Sequence, residues 1–364
     1  VSTLFSTLYN YYNLDYSLSG IFFFRIPLFA ISIWIILDEI NLNISKIPTI
    51  YFIFFSIIIF DSIFQFYFGK NILGYKVITE RISSFFGDEL ILGSFLLRIM
   101  PILMFILTFN DIINKKINFL VIFFISLICL IIFLTGERTS FFLLIIFFAV
   151  LFLLIKLLRK FILFVALFFI VLATIFSNIE NKPDIAPSSR VFISTFNQVL
   201  GKNYENHDNE YKIFGKFYIF SPDHHSHYLL SAKIIKDNFL IGTGVKGFRY
   251  LCRNKIYEIK SKNGCSTHPH NTFVQVFTSN GILGFLLLIL AFVFLVTQLL
   301  KISIRNNKEI DFKKNNISEI ILITGIIINF WPFVPSGNFF NNWISMIYFY
   351  PIGLYLHFKN TKKF

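Results

Sequence analysis

Charged residues and cysteines are scarce in this sequence. Asp, Glu, Lys and Arg make up only 15% of the 364 residues, against about a quarter in a soluble globular protein. Three cysteines are too few to frame a small secreted domain. Hydrophobic residues reach 55%, and 51 positions are Phe, which disordered segments do not show. The composition therefore excludes a cytosolic enzyme, a disulfide-framework mini-protein and a disordered tail.

The uncharged stretches have the length that a bilayer requires. A spanning helix needs about 20 mostly apolar residues, whereas strands of a membrane barrel would alternate apolar and polar residues, and these segments do not alternate. The sequence predicts an all-α fold, a polytopic transmembrane helical bundle of about nine or more spans. The nine windows are Ile21–Leu37, Ile47–Phe66, Leu90–Phe109, Ile117–Leu134, Ser140–Leu157, Phe161–Phe176, Asn271–Leu299, Ile317–Phe333 and Trp343–Phe358.

Lys and Arg in the short loops predict the orientation of the bundle. Basic residues cluster at 115–116, 156–160, 301–314 and 359–363, which marks that side as cytoplasmic. The other side then carries 67–89, 135–139, 334–338 and one long segment, 177–270. We expect three parts: an N-terminal bundle (1–176), a periplasmic loop domain (177–270) and C-terminal helices (271–364). A start at Val1 without a signal peptide is compatible with earlier spans that precede it.

The long outer segment is basic. It carries 13 Lys and Arg against 8 Asp and Glu, a difference of about +5, and long loops translocate regardless of charge. An outward basic surface favours an anionic partner. The alternative is a solvated face without a partner.

Two charges fall inside predicted spans. Asp61 and Arg98 lie at similar depth, about six and eight residues from the outer ends of consecutive helices. Charges near the bilayer centre are costly and usually face a partner or a cavity. We expect the two to form a structural pair, with a substrate phosphate as the alternative partner of Arg98.

Arg138 is the strongest candidate for anion binding. It lies in a short turn, Thr135–Gly136–Glu137–Arg138–Thr139, which is too short to carry it far from the membrane. A guanidinium there offers bidentate hydrogen bonds to a phosphate at headgroup level. The alternatives are a pair with Glu137 and contact with lipid headgroups. Arg81, in a longer loop, is a weaker candidate.

The most specific local pattern is His268–Pro269–His270–Asn271, just before a long apolar helix. Pro269 restricts His268 to an extended conformation, and Asn271 is a suitable N-cap for the helix. The positive end of the helix dipole favours a neutral imidazole, the form a general base needs. A purely capping or interfacial histidine is the alternative.

Cys252 and Cys265 lie on the same outer segment. In an oxidising periplasm we expect a structural disulfide between them. The alternative is zinc held by both cysteines with His268 and His270, but the spacing fits no common zinc pattern. We therefore expect no metal, and Cys129 is predicted to be inert within a helix.

Two further patterns are interpreted as structural. Gly242, Gly244 and Gly247 match the dinucleotide fingerprint in spacing, but they lack its βαβ context and are interpreted as a tight turn. The acid-histidine group Asp223, His224, His225 and His227 favours a solvated loop or groove lining over a metal site. The sequence contains no Ser-His-Asp pattern, no P-loop and no nucleic-acid motif.

Taken together, several of these patterns resemble the O-antigen ligase/polymerase superfamily of bacterial membrane glycosyltransferases. His270–Asn271 followed by Gly281 and Gly284 resembles its signature, and Gly242 to Arg249 resembles the glycine-rich turn before it. Thr135 to Arg138 and Arg81 to Gly87 are similar to its periplasmic arginine turns. Many relatives have an arginine where this chain has His225 and His227, and Arg190 is a candidate for the displaced equivalent.

The resemblance implies glycan transfer on the periplasmic face of the bacterial inner membrane. The donor would be an undecaprenyl-diphosphate-linked glycan and the acceptor a hydroxyl of lipid A–core or of a growing glycan, with membrane lipid around the protein. No metal, nucleotide cofactor or nucleic acid is implied. We expect His270 as base and Arg138 as the catalytic stabiliser of the diphosphate. Arg81, Arg249, His227, His268 and Asn271 are the substrate-binding candidates.

A transporter or flippase is the competing class of function. It would use Asp61 and Arg98 as pathway charges, but it leaves the outward His-Pro-His-Asn element without a role. Secondary transporters often show inverted repeats and broken helices, and the sequence shows neither.

Overall fold

The fold is described from a computed structural model. It covers residues 1–14, 18–39, 47–112, 118–179, 187, 189–200, 220–257, 259, 264–308 and 314–361. Lys115 and Lys116, which helped to orient the bundle, lie outside these ranges, as does 201–219 of the long outer segment.

Thirteen α-helices lie within the described ranges. They are α1 (Ser2–Leu14), α2 (Arg25–Glu39), α3 (Ile47–Phe68), α4 (Leu92–Phe109), α5 (Phe119–Leu134), α6 (Arg138–Leu154), α7 (Arg159–Ser177), α8 (Ser194–Val199), α9 (Pro222–Asp237), α10 (Gly247–Leu251), α11 (Thr272–Lys308), α12 (Lys314–Asn329) and α13 (Asn342–Thr361). The described backbone contains two isolated β-bridges and no strand. The all-α prediction is confirmed.

Within the described ranges, five helical segments are long and apolar enough to cross a membrane. They are Leu18–Glu39, Ile47–Phe68, Leu92–Phe109, Lys156–Ser177 and Thr272–Ile304. The apolar helices α5 and α6 have 16 and 17 residues. Such helices reach only about 24–26 Å, short of a hydrocarbon core of about 30 Å. A multi-pass membrane protein is supported, and the count of nine or more spans stays a prediction.

Large apolar side chains on the outsides of these helices support a lipid environment. Helix α7 exposes an aliphatic stripe, and α11 exposes another beyond Gly281. Apolar surface this continuous is rare on soluble monomers. The exposed side chains are Leu163, Leu167, Ile170, Val171 and Ile175 on α7, and Leu283, Leu286, Leu287, Leu290, Val293 and Phe294 on α11.

The chain divides into two compact units that do not follow the three expected consecutive parts. The first unit comprises Val1–Ile36, Phe196–Gln298 and Phe330–Phe364, and the second comprises Leu37–Thr195 and Leu299–Asn329. Each unit therefore gathers stretches that lie far apart in sequence. The three-part division of membrane and periplasmic segments stays a prediction.

In the second unit, helix α4 is central and packs against α12, α5 and α6. Nearly every side chain from Leu92 to Thr108 is buried. Gly325 of α12 sits against Pro101 of α4, where an added Cβ would collide with the proline ring. The small residue allows the two helices to approach closely at this point.

Helix α3 of the same unit holds the loop that carries Arg81. The fully buried carboxylate of Asp61 accepts hydrogen bonds from Asn71 Nδ2 (3.3 Å), from Ile72 N (2.9 Å) and from Ser84 Oγ. One turn along, Gln65 Oε1 accepts the backbone N–H groups of residues 83 and 84 at 2.9 and 2.7 Å. Buried backbone donors require acceptors, and α3 supplies them.

This arrangement corrects the expected pair between Asp61 and Arg98. The loop supplies the hydrogen-bond donors to Asp61, while an Nη1 of Arg98 donates to the carbonyl of Ser94 at 2.9 Å and to its hydroxyl. Similar depth in consecutive helices did not determine the partner of Asp61, because the loop that folds back over α3 supplies the donors to its carboxylate.

In the first unit, helix α11 is interrupted at Gly281 (φ 64°, ψ −165°). The 239–244 loop runs along this break, with Thr243 N to Thr278 O and Gly244 N to Ser279 O both at 2.9 Å and Ile282 N to Phe239 O at 2.8 Å. A Cβ on Gly242 or Gly281 would collide with the facing backbone. The glycine turn, with positive φ at Gly242 and Gly244, is thus confirmed as a tight turn.

Cys252 and Cys265 form a disulfide, with Cα atoms 5.0 Å apart. The two residues are separated by 13 positions in the sequence. In the chain-entropy model, closing a loop of this size stabilises the folded protein by about 3 kcal/mol. Because both sulfurs are bonded to each other, neither is a thiolate that could ligate the zinc of the alternative site. The disulfide also ties the end of α10 to the segment before His268.

Candidate active site

Four imidazoles gather in the first unit, at the N-terminal end of α11. The ring centroids of His268 and His270 are 4.0 Å apart, and His227 of α9 stacks on His270 at 5.2 Å. His224, one turn earlier on α9, lies 5.5 Å from His270. We call these four residues the histidine cluster. His270 is at its centre, since it contacts the three other rings.

His270 is held by both its backbone and its ring. Its carbonyl accepts the backbone N–H of Ser336 at 2.8 Å and the hydroxyl of Tyr228 at 3.4 Å. Its ring Nε2 lies 3.0 Å from Ser266 Oγ. The residue has a left-handed backbone (φ 56°), which costs a non-glycine residue about 1–2 kcal/mol. Such strain is typical of functional positions.

Asn271 caps α11, as its position predicts. Its Oδ1 accepts hydrogen bonds from the N–H groups of Phe273 (3.0 Å) and Val274 (3.1 Å). Its Nδ2 donates to the carbonyls of Pro332 (2.8 Å) and Val334 (3.2 Å). These four bonds use both hydrogens and both lone pairs of the amide. The side chain therefore has no capacity left for substrate, which argues against the binding role expected for it.

Burial keeps the central histidines neutral. Desolvation lowers the pKa of His270 to about 4, with a smaller contribution from His227. Desolvation also lowers the pKa of His268 to about 3, helped by the neighbouring His270, His227 and Arg249. Both rings are therefore uncharged throughout the physiological pH range. The neutral ring expected from the helix dipole is present, but burial is its main cause.

A group of charged side chains lies in the second unit, around the 135–138 turn. Arg81 Nε donates to Thr135 O at 3.0 Å, and its Nη2 donates to Leu90 O at 2.8 Å and lies 3.4 Å from Glu137 Oε1. Arg138 is the first residue of α6. Arg190 packs against Gly136 and donates to Thr79 O at 3.2 Å. We call Arg81, Arg138 and Arg190 the arginine cluster.

The arginine cluster carries more positive than negative charge. Burial lowers the pKa of Arg81, Glu137 opposes this, and the charges of Arg190 and Arg138 lower it further. Glu137 is an acid that pairs with Arg81, whereas Arg190 and Arg138 act on Arg81 as like charges. The Nε of Arg190 is buried and has no hydrogen-bond partner in the described part of the chain. The group thus has unused capacity for an anion.

Glu137 organises this cluster. Its carboxylate accepts the N–H groups of Gly93 (2.9 Å) and Ser94 (3.0 Å) and the hydroxyl of Ser140 (2.9 Å). Its side chain is 12% exposed, and that of Arg81 is 16% exposed. Burial raises the pKa of Glu137, while the charge of Arg81, the hydrogen bonds from Ser140 and Gly93 and the charge of Arg98 lower it.

We expect Glu137→Ala to lower the free energy of unfolding by about 3 kcal/mol, because it removes one partner from a buried ion pair. Two backbone N–H groups at the start of α4 also lose their acceptor. Unfolding by SDS in mixed micelles measures the change. Glu39→Gln, at the exposed end of α2, is the control and should have no effect. An equally stable Glu137→Ala variant would contradict this role.

The predicted site residues are divided between the two units. His227, His268, His270 and Arg249 belong to the first unit, and Arg81 and Arg138 belong to the second. The closeness of His270 to Arg138 stays a prediction. His225 lies one residue after His224 on α9, and no group of metal-binding side chains occurs within the described ranges.

The sequence does not point to Ser266, and it names Arg190 as a candidate without showing what Arg190 contacts. Ser266 hydrogen-bonds to a residue four positions later, His270, as in a compact turn. The sequence shows no helix or strand pattern in this segment, so the spacing alone is a weak signal. The contact of Arg190 with Gly136 joins residues 54 positions apart, so only the folded chain reveals it.

Comparison with known proteins agrees with the motifs. The family model described as O-antigen ligase matches residues 121–289, just under half of the chain. This match supports membership of the O-antigen ligase superfamily and confirms the resemblance. It includes the 135–138 turn, the glycine turn and the His268–Asn271 segment. No curated protein matches the chain.

Proposed function

We propose that this protein transfers a glycan from an undecaprenyl-diphosphate-linked donor to an acceptor hydroxyl at the periplasmic face of the membrane. The observation that carries the proposal is the neutral, centrally placed His270 in a chain whose family match is O-antigen ligase. Ligases and polymerases of this superfamily act on lipid-linked glycans, and ligases use lipid A–core as acceptor.

His270 acts as the general base. If Nε2–H donates to Ser266 Oγ, the lone pair of Nδ1 is the proton acceptor. The acceptor hydroxyl gives its proton to that nitrogen as its oxygen attacks the anomeric carbon. The new glycosidic bond forms as the bond to the diphosphate oxygen breaks, so a single displacement inverts the anomeric configuration. His227 and His268 hold the base ring and line the acceptor side.

Arg138 stabilises the leaving group. Negative charge grows on the diphosphate as its bond to the sugar breaks, and a preorganised guanidinium lowers the energy of that state. Arg81 supports this role by shaping the 135–138 turn through its bonds to Thr135 and Glu137. Arg190 adds a further positive charge to the same cluster.

Transfer should be independent of pH between about 6 and 8 and should decline only towards pH 4. The reason is that the lowered pKa of His270 keeps it neutral until about pH 4, and protonation below that value removes its lone pair. The profile is measured as kcat/KM, obtained from initial rates in detergent at each pH. A decline centred between pH 6 and 7 would mean that another group is the base.

Deletion of the gene, followed by lipopolysaccharide gel analysis, tests the proposal and separates its two forms. Loss of a ligase should leave free lipid-linked polymer and bare lipid A–core. Loss of a polymerase should leave lipid A–core carrying single repeat units. An unchanged gel pattern, with lipid-linked intermediates at wild-type levels, would contradict glycan transfer.

A further inference from the structure

A cavity of about 290 Å³ opens in the first unit, beside the histidine cluster. Three basic side chains line it, contributed by the start of α2, by the residue that precedes α10 and by α10 itself. Three asparagines from the loop before α13 line the opposite part. The residues are Arg25, Lys246, Arg249, Asn338, Asn341 and Asn342, and no Asp or Glu is among the lining residues of the described chain.

The asparagines present hydrogen-bond donors. The side-chain oxygens of Asn338 and Asn341 each accept two hydrogen bonds from the protein, and that of Asn342 accepts one from Arg25. The NH₂ groups of all three asparagines, and one lone pair of the Asn342 oxygen, are therefore the side-chain sites left for a ligand. Arg249 adds a buried Nε without a hydrogen-bond partner in the described part of the chain. Donors and positive charge together select an anion.

The cavity adjoins the base. Thr267 lines it, and the hydroxyl of Thr267 lies 2.9 Å from Nδ1 of His268. His268 in turn lies against His270, with ring centroids 4.0 Å apart. The positive charge of Arg249 also reaches His268, whose pKa it lowers.

Its position beside the base assigns the cavity to the acceptor. In a single displacement with inversion, the base and the incoming oxygen approach from the face opposite the leaving group. An anion held next to the base therefore belongs to the acceptor, whereas the donor diphosphate leaves on the other face. This inference rests on the proposed function, because it uses His270 as the base.

We propose that this cavity binds a negatively charged sugar residue of the acceptor glycan, one that carries a carboxylate or a phosphate. Lys246 and Arg249 supply the charge, and the asparagine NH₂ groups contact the sugar hydroxyls. Arg249 is then an acceptor-binding residue rather than a partner of the diphosphate. The protein would prefer acidic acceptors over neutral acceptors of the same ring structure.

Two probes that differ only at C6 test this preference: methyl β-glucuronide, with a carboxylate, and methyl β-glucoside, with a hydroxymethyl group. Saturation-transfer NMR titrations with the full chain in detergent micelles give both dissociation constants. We expect the glucuronide to bind at least about tenfold more tightly, since charge-assisted hydrogen bonds are the stronger kind. Equal affinities would overturn the proposal.

Variants locate the binding. Arg249→Gln and Lys246→Gln should each remove most of the tenfold preference, whereas Arg253→Gln, an exposed arginine four residues along, should retain it. A preference that survives in both lining variants would place the anion elsewhere and overturn the proposal. Loss of inorganic pyrophosphate binding in these variants, with the glucuronide preference unchanged, would assign the cavity to the leaving group instead.

The binding readout is separate from transfer. A His270→Asn variant should lose transfer and keep the glucuronide preference. Transfer by the wild type without any preference would overturn the cavity proposal alone. A preference without transfer from any lipid-linked donor would overturn the proposed function, and with it the assignment of the cavity to an acceptor.

Discussion

His270→Asn should lower glycan transfer by about 10²–10⁴-fold, the usual contribution of a general base. Asparagine is the informative replacement because it tolerates the left-handed backbone that His270 adopts, so the loop before α11 keeps its conformation. Alanine removes the same lone pair but adds backbone strain. Transfer from a radiolabelled lipid-linked donor in detergent measures the loss.

His357→Asn is the control for this substitution. His357 lies in α13 of the same unit, away from the histidine cluster in sequence and role, and the variant should transfer at the wild-type rate. Wild-type activity in His270→Asn would reject His270 as the base. The amount of His270→Asn protein recovered from the membrane distinguishes a catalytic loss from a loss caused by poor insertion.

Arg138→Lys should reduce kcat by about 10²–10³-fold, as does removal of one donor from a preorganised anion site. Lysine keeps the positive charge but lacks the fork that binds a phosphate through two hydrogen bonds. KM for the donor should rise less than kcat falls, because the charge on the diphosphate grows in the transition state.

Arg253→Lys is the matched control, since Arg253 is exposed and lies outside the arginine cluster. The stability of Arg138→Lys, measured by SDS unfolding, should stay near that of the wild type. A variant with wild-type kcat and wild-type KM would remove Arg138 from the mechanism. A variant with full kcat and a raised KM would limit Arg138 to ground-state binding of the donor.

Sequence patterns predicted the helices, turns and caps of this protein better than the contacts between residues that are distant in the chain. The apolar runs predicted the helices, and the cap at Asn271 and the glycine turn follow from local chemistry. The Cys252–Cys265 bridge needed only the expectation of an oxidising compartment. Each of these features depends on residues that are close together in the chain.

The features that sequence did not predict depend on residues brought together by folding. Asp61 binds a loop that returns over α3, and Arg190 reaches Gly136 across 54 positions. The cavity joins α2, the glycine turn and the loop before α13, so no single window of the sequence contains it. Its donor character also depends on which asparagine oxygens are already occupied.

The break at Gly281 has a mechanical consequence for the site. Hydrogen bonds from the 239–244 loop clamp both sides of the break, and neither Gly242 nor Gly281 has room for a Cβ. Gly281 is therefore a rigid corner rather than a hinge. The short piece of α11 that follows His270 and the turn that leads to Arg249 must move as one body. In the proposed reaction, substrate would enter through motion elsewhere, and the spacing between His270 and the proposed acceptor cavity would be preserved.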